Sequence, residues 1–180
     1  KDFLYLEYDV QESADGELFV LHDPSLVRML PNWEGNMSVY KDLLADPIVQ
    51  QRVGKKNIKI EDIGIMHITS SQLGRLHFYK FPNEKVPSFR TVLDKAKEWG
   101  LRKPMAAEFK YFYSDSARQR YIDWLVDFRD NFLRKQNPKK EEAYDLDPLF
   151  VSIFGFKENF EYSFGATGSS SWNNWCGRIK

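Results

Sequence analysis
Glu7-Tyr8-Asp9-Val10-Gln11, followed by Ala14-Asp15-Gly16-Glu17-Leu18-Phe19-Val20-Leu21-His22-Asp23-Pro24, is the stretch whose pattern decides the fold. Successive side chains of a strand point to opposite faces. Over Phe3 to Val10 this places Leu4, Leu6 and Tyr8 on one face and Tyr5, Glu7 and Asp9 on the other. Residues two apart on a strand are roughly 6.5–7 Å apart at Cα, so both acid heads reach toward one point. Ala14-Asp15-Gly16 is a tight-turn signal and Leu18 to His22 reads as a second strand, which predicts a β-hairpin with His22 at its far end.

Downstream, Pro31 to Phe81 breaks into short pieces, including a helix-like spacing over Tyr40 to Val53 and a loop at Gly54-Lys55-Lys56-Asn57. This segment, about 31–81, reads as an insertion within a single catalytic domain spanning 1–180. Phe89, Val92, Leu93, Ala96 and Trp99 recur at helical spacing, and Gly100 stands where a helix stops, which predicts a helix over Ser88 to Trp99. Met105 to Tyr111 then supplies a strand whose Glu108 and Lys110 share a side. Ser114 or Ser116 caps a second helix with the apolar stripe Ala117, Tyr121, Leu125, Phe128 and Phe132, ended by Asn137-Pro138. Leu149 to Phe154 has strand character, Gly165 to Ser171 is a Gly/Ser-rich loop, and Trp172 to Trp175 follow no period. Strands alternating with helices predict a parallel α/β fold, whose active sites form at the C-terminal ends of the strands. Glu7, Asp9 and Glu108 all fall at such ends.

Composition narrows the field of partners. The 180 residues carry 26 Lys and Arg against 26 Asp and Glu, so no net charge would hold the chain on a nucleic acid or an anionic membrane. Binding is expected at a local site. The single cysteine, Cys176, excludes an internal disulfide framework and fixes no compartment, cytoplasmic or secreted. No apolar run approaches the roughly 20 residues of a membrane span, and Asp2 and Glu7 interrupt any signal-peptide pattern at the start. An aromatic content of 16% reads as bulky core filling. Oligomeric state is not legible.

Three carboxylates converging from two parallel strands form a hard oxygen cage for Mg²⁺ or Ca²⁺, with positions left open to water and phosphate oxygens. Cys and His at zinc-ligand spacings are absent. An isolated Glu-x-Asp is weak evidence, because acid-rich strand ends are common. The plain readings of the other groups are structural: His22 as a strand-edge residue, Lys110 as the partner of a neighbouring acid, Asp23 before its proline as a turn residue. Lys55-Lys56 and Lys139-Lys140 read as solvated loop charges. Asn36-Met37-Ser38 meets the glycosylation sequon, a pattern frequent by chance.

The acidic pair, the Asp-Gly turn, the apolar strand and His22-Asp23-Pro24, continued by Ser25-Leu26-Val27-Arg28, together resemble the hallmark of the glycerophosphodiester phosphodiesterases. Val86-Pro87-Ser88-Phe89-Arg90-Thr91-Val92-Leu93 resembles that family's entry into its next helix, and Ala107-Glu108-Phe109-Lys110 its Glu-x-Lys strand. Val151-Ser152-Ile153-Phe154 matches a later strand more loosely. The resemblance covers about residues 3 to 155 and implies a TIM-type (β/α)8 barrel that hydrolyses glycerophosphodiesters to glycerol 3-phosphate and an alcohol, in lipid and glycerol metabolism. It implies Glu7, Asp9 and Glu108 as ligands of a divalent cation, His22 as one catalytic histidine, and Lys110 as the neutraliser of phosphate charge. The family's other catalytic histidine belongs to a His-Arg motif on an earlier strand, expected outside this chain. His67 and His77 match nothing in the motif. A closed barrel takes about 250 residues, so this chain is expected to hold an incomplete one. The alternatives are a phospholipase C- or D-like hydrolase of intact lipids and a non-catalytic binding module.

Overall fold
The computed structural model describes residues 6–101, 105–134 and 151–154. In chain order these form β1 (Leu6–Glu12), β2 (Leu18–Val20), α1 (Glu34–Ala45), α2 (Pro47–Val53), α3 (Ser70–Leu73), α4 (Phe89–Glu98), β3 (Met105–Phe109), α5 (Asp115–Asp127) and β4 (Val151–Phe154). A π-helical stretch, Phe128–Arg134, continues α5. The strand order is β2-β1-β3-β4. The chain divides into two compact units, the first made of the residues up to Val10 with those from Phe89 onward, the second of Gln11–Ser88.

The first unit is built on a parallel sheet. β1 pairs with β3 in a register that sets Asp9 beside Glu108 and Val10 beside Phe109, and β3 pairs with β4, Met105 beside Val151. Parallel pairing needs a crossover connection, and α4 lies in the one that leads to β3. Its Phe89, Leu93 and Ala96 are buried. α4 ends as its sequence predicts: Gly100 adopts φ 62°, and the bonds Gly100 N–H to Lys97 O (3.1 Å) and Leu101 N–H to Ala96 O (2.8 Å) close a Schellman motif. Ser114 caps α5, its Oγ accepting from the Ala117 N–H at 3.1 Å. The core is aromatic. Tyr8, Phe89, Tyr121 and Phe112 form a chain of ring contacts with centroids 5.7, 5.4 and 5.0 Å apart, the tilted and edge-on geometry that aromatic pairs prefer. Tyr121 also donates its hydroxyl to the Ala107 carbonyl at 3.1 Å, which fixes α5 to β3.

The second unit begins with the hairpin turn. Ser13 N–H donates to Glu17 O at 2.8 Å, Gly16 takes φ 86°, and Asp15 accepts from both the N–H (2.9 Å) and the hydroxyl (2.6 Å) of Ser70 at the start of α3. The core here is mainly aliphatic, with Leu26, Leu43, Val49, Ile63, Ile65 and Ile68 fully or almost fully buried. Buried Tyr40 satisfies its hydroxyl on Leu30 O at 2.5 Å. The helix-like spacing over Tyr40 to Val53 resolves into two helices. Pro47 cannot continue α1, and Asp46 accepts from the N–H groups of Ile48 (2.8 Å) and Val49 (3.4 Å), so the break is the N-cap of α2. The stretch 31–81 shares this unit with the hairpin. The expected helix end at Asn137-Pro138, the basic pair Lys139-Lys140, the loop Gly165 to Ser171 and the aromatic tail Trp172 to Trp175 lie outside the described residues.

Candidate functional site
Strand alternation and register suffice to place the acids. Glu7 and Asp9 share one face of β1, Glu108 stands beside Asp9 on β3, and Lys110 follows Glu108 by two residues. The opposite face of the same strands, with Tyr8, Val10, Ala107 and Phe109, is buried in the first unit's core. Glu7, Asp9 and Glu108 each present an oxygen within 4.8 Å of the others. That fits the span of roughly 4.6–5.2 Å between opposed oxygens on a Ca²⁺ ion with ligands at 2.3–2.6 Å, or a tighter set on Mg²⁺.

Burial makes this cluster costly without a counter-charge. Asp9 is 5% exposed and Glu108 7%, whereas Glu7 is exposed. Lys110, 9% exposed, donates to Glu108 Oε1 at 2.8 Å and lies 3.0 Å from Asp9 Oδ1. Burial alone would lower its pKa, but the bonds and charges of Glu108 and Asp9 outweigh it and raise the pKa above the ordinary lysine value. Two buried carboxylates thus share one ammonium. The buried Asp9 Oδ1 faces this ammonium, and its other lone pair is left for a second positive partner. The donor set, all oxygen and partly buried, fits a hard divalent cation.

His22 belongs to the second unit, just past the end of β2, with its side chain 62% exposed. Its Nδ1 is 2.6 Å from Asp23 Oδ1. Arg28 grips the same carboxylate with two donors, Nε on Oδ2 and Nη2 on Oδ1, the latter at 2.7 Å. The Arg28 bond above all, opposed by burial and helped by the His22 bond, holds the Asp23 carboxyl below the usual carboxylate range. Asp23, expected as a turn residue, therefore also pairs with its neighbours' side chains. Gln11, 4% exposed, donates its Nε2 to Leu21 O at 2.6 Å and Asp23 O at 2.9 Å, with His22 O at 3.3 Å. The sequence signal for Arg28 is its place in the motif; Gln11 closes the motif's first stretch, but nothing there marks it as a donor to the backbone around His22. The other histidines do structural work. His67 Nδ1 accepts from the Gly64 N–H at 3.0 Å, and burial followed by the charge of Arg52 lowers its pKa; the backbone N–H of His77 bonds Asn36 Oδ1 at 3.0 Å.

Chemically, the first unit's cluster is suited to hold a hard cation beside an ammonium, and the second unit's histidine holds its ring nitrogen against a carboxylate. A family model described as "Glycerophosphoryl diester phosphodiesterase family" matches residues 2–169, and the chain belongs to that family. Its members are hydrolases of phosphoric diesters with a TIM-barrel fold. No curated protein matches the chain. Among solved structures it is similar to a glycerophosphodiester phosphodiesterase of Agrobacterium tumefaciens str. C58, at 18% identity and a TM-score of 0.49, over 88% of this chain and 49% of that one. A glycerophosphodiester phosphodiesterase of Parabacteroides distasonis ATCC 8503 follows at 16% identity and 0.46, over 88% and 47%. A putative one of Galdieria sulphuraria stands at 13% and 0.49, over 84% and 44%. The chain thus spans about half the length of these structures. Among the described residues no helix is long and apolar enough to cross a membrane.

Proposed function
We propose that the protein carrying this chain hydrolyses glycerophosphodiesters to glycerol 3-phosphate and an alcohol, with Mg²⁺ or Ca²⁺ held by Glu7, Asp9 and Glu108. The observation that carries this reading is the convergence of those three oxygens beside Lys110, inside the span matched by the family. A bound cation would stabilise negative charge developing on the phosphoryl oxygens. Lys110 supplies a second positive charge, fixed by Glu108 and Asp9 so that it needs little reorganisation as phosphate charge grows. His22 moves one proton to or from an attacking or leaving oxygen. If the substrate's own glycerol hydroxyl attacks first to give a cyclic phosphate, a second proton mover beside His22 is required. The fold is read as a TIM-type barrel, supported by the family match and the parallel pairing of β1, β3 and β4, with 31–81 as an insertion in one catalytic domain.

The test is hydrolysis of glycerophosphocholine by the full-length protein before and after exhaustive chelation. Activity that disappears on chelation and returns with Mg²⁺ or Ca²⁺ is expected. Undiminished activity after chelation would overturn the cation's role, and cleavage of intact phospholipid without cleavage of glycerophosphocholine would move the substrate to membrane lipids.

A further inference from the structure
The mechanism asks His22 to present one defined nitrogen, yet an exposed imidazole past the end of a strand is free to turn between rotamers and to carry its proton on either nitrogen. We propose that Asp23 and Gln11 are positioning residues for His22, Asp23 holding the Nδ1 proton so that the lone pair is kept on Nε2, and Gln11 fixing the backbone that carries the ring. This rests on the reading of His22 as the proton mover.

The separation of 2.6 Å between His22 Nδ1 and Asp23 Oδ1 requires a proton between them. Asp23 cannot supply it, because the paired Arg28 keeps the carboxylate ionised. The proton therefore sits on Nδ1, and in the neutral ring the lone pair is on Nε2. Arg28 Nη2 also lies 3.3 Å from Nδ1. Two donors face each other there, so that contact is no hydrogen bond, and Arg28 acts on His22 only through the oxygen it shares with it.

The ring is only as well placed as its backbone. β2 ends at Val20, so the carbonyls of Leu21, His22 and Asp23 fall beyond the strand. The Gln11 amide has two protons for these three acceptors. It makes two short bonds, to Leu21 O and Asp23 O, on either side of His22, and the longer His22 contact shares one of those protons. A single buried side chain thus pins the residues before and after the histidine, and Pro24 restricts the chain immediately beyond.

Long-range ¹H–¹⁵N correlation spectra of the full-length protein, recorded where His22 is neutral, test this directly. The wild type should show the proton on Nδ1 and an unprotonated Nε2. Asp23→Ala should lose that preference and lower kcat roughly 10- to 100-fold, the range for groups that orient a reacting ligand, with KM nearly unchanged. Gln11→Ala should keep the proton on Nδ1, broaden the His22 ring signals and lower kcat as well. Arg28→Gln, which leaves the Asp23-Pro24 turn untouched, should weaken the Nδ1 preference in part, and it carries the test if Asp23→Ala fails to fold. A wild-type ring protonated on Nε2, or a ring unchanged in both Asp23→Ala and Arg28→Gln, would overturn the proposal. A protein that hydrolyses no diester but shows the Nδ1 tautomer and its loss would refute the hydrolase reading and leave the positioning intact.

Discussion

In the first unit the charged groups ride on regular strands, whereas in the second the histidine stands on irregular chain past a strand end. Glu7, Asp9 and Glu108 are placed by alternation and register, Lys110 directly follows β3 with its N–H on Val10 O at 2.9 Å, and the opposite face of the strands is anchored by the rings of Tyr8, Phe89, Phe112 and Tyr121. No ladder directs His22. It is held by side chains: an aspartate on its ring, an arginine on that aspartate and a glutamine on its flanking carbonyls. The difference teaches that a multidentate charge cluster can be set by backbone geometry, which is rigid and cheap to specify. A single proton-moving ring on a loop needs its own local scaffold of polar bonds.

The comparison predicts where substitutions separate function from stability. His22→Ala in the full-length protein should lower kcat by roughly 10²–10⁴-fold, the range for a general acid or base. Its thermal midpoint should barely move, because the ring is mostly solvent-exposed. A lower melting temperature with normal turnover per folded molecule would make His22 structural. Phe89→Ala attacks the first unit's ring chain instead. Complete burial against Tyr8, Tyr121 and Trp124 predicts a loss of about 3–5 kcal/mol in denaturant unfolding. A loss under about 1 kcal/mol would show that the aromatic core is not what holds β1 and β3 in place.

The smallest effect is expected at the hairpin turn. Burial pushes the Asp15 carboxyl up, but bonds from Ser13 and Ser70 outweigh it and lower its pKa. A carboxyl depressed in the folded state stabilises it above the unfolded pKa, about 3.9, and that contribution is lost as pH falls through the folded value. Asp15→Asn should therefore cost about 1 kcal/mol at pH 7, a modest figure because the group is largely exposed. The deficit should close below about pH 4. Urea midpoints of both proteins at the two pH values check this, and a deficit that stays constant with pH would assign the effect to the turn's geometry alone.

Much of the first unit was legible in the sequence because its devices are local. Period-two alternation placed Glu7 with Asp9 and Glu108 with Lys110, Gly100 marked the end of α4 and Ser114 the start of α5. Both readings of Lys110 begin from one geometry, in which its partners are two of the acids it would assist. The scaffold of His22 was less legible. Gln11 closes the motif's first stretch, but its bonds to carbonyls ten and twelve residues away have no periodic signature, and the aspartate before a proline has a sufficient local reason to be there as a turn former. The same holds for Asp46, whose capping of α2 depends on a break that apolar spacing over Tyr40 to Val53 does not reveal.

Cation binding by the first unit is the central claim, and calorimetric titration of the metal-stripped full-length protein with Mg²⁺ and with Ca²⁺ tests it most directly, alongside Asp9→Asn. The substitution keeps the side chain's shape and removes the charge of the carboxylate whose buried Oδ1 faces the Lys110 ammonium. Saturable binding of at least one cation to the wild type is expected, weakened at least about tenfold, or 1.4 kcal/mol, in Asp9→Asn. A wild type that binds neither ion, or a variant that binds as tightly as the wild type, would contradict it.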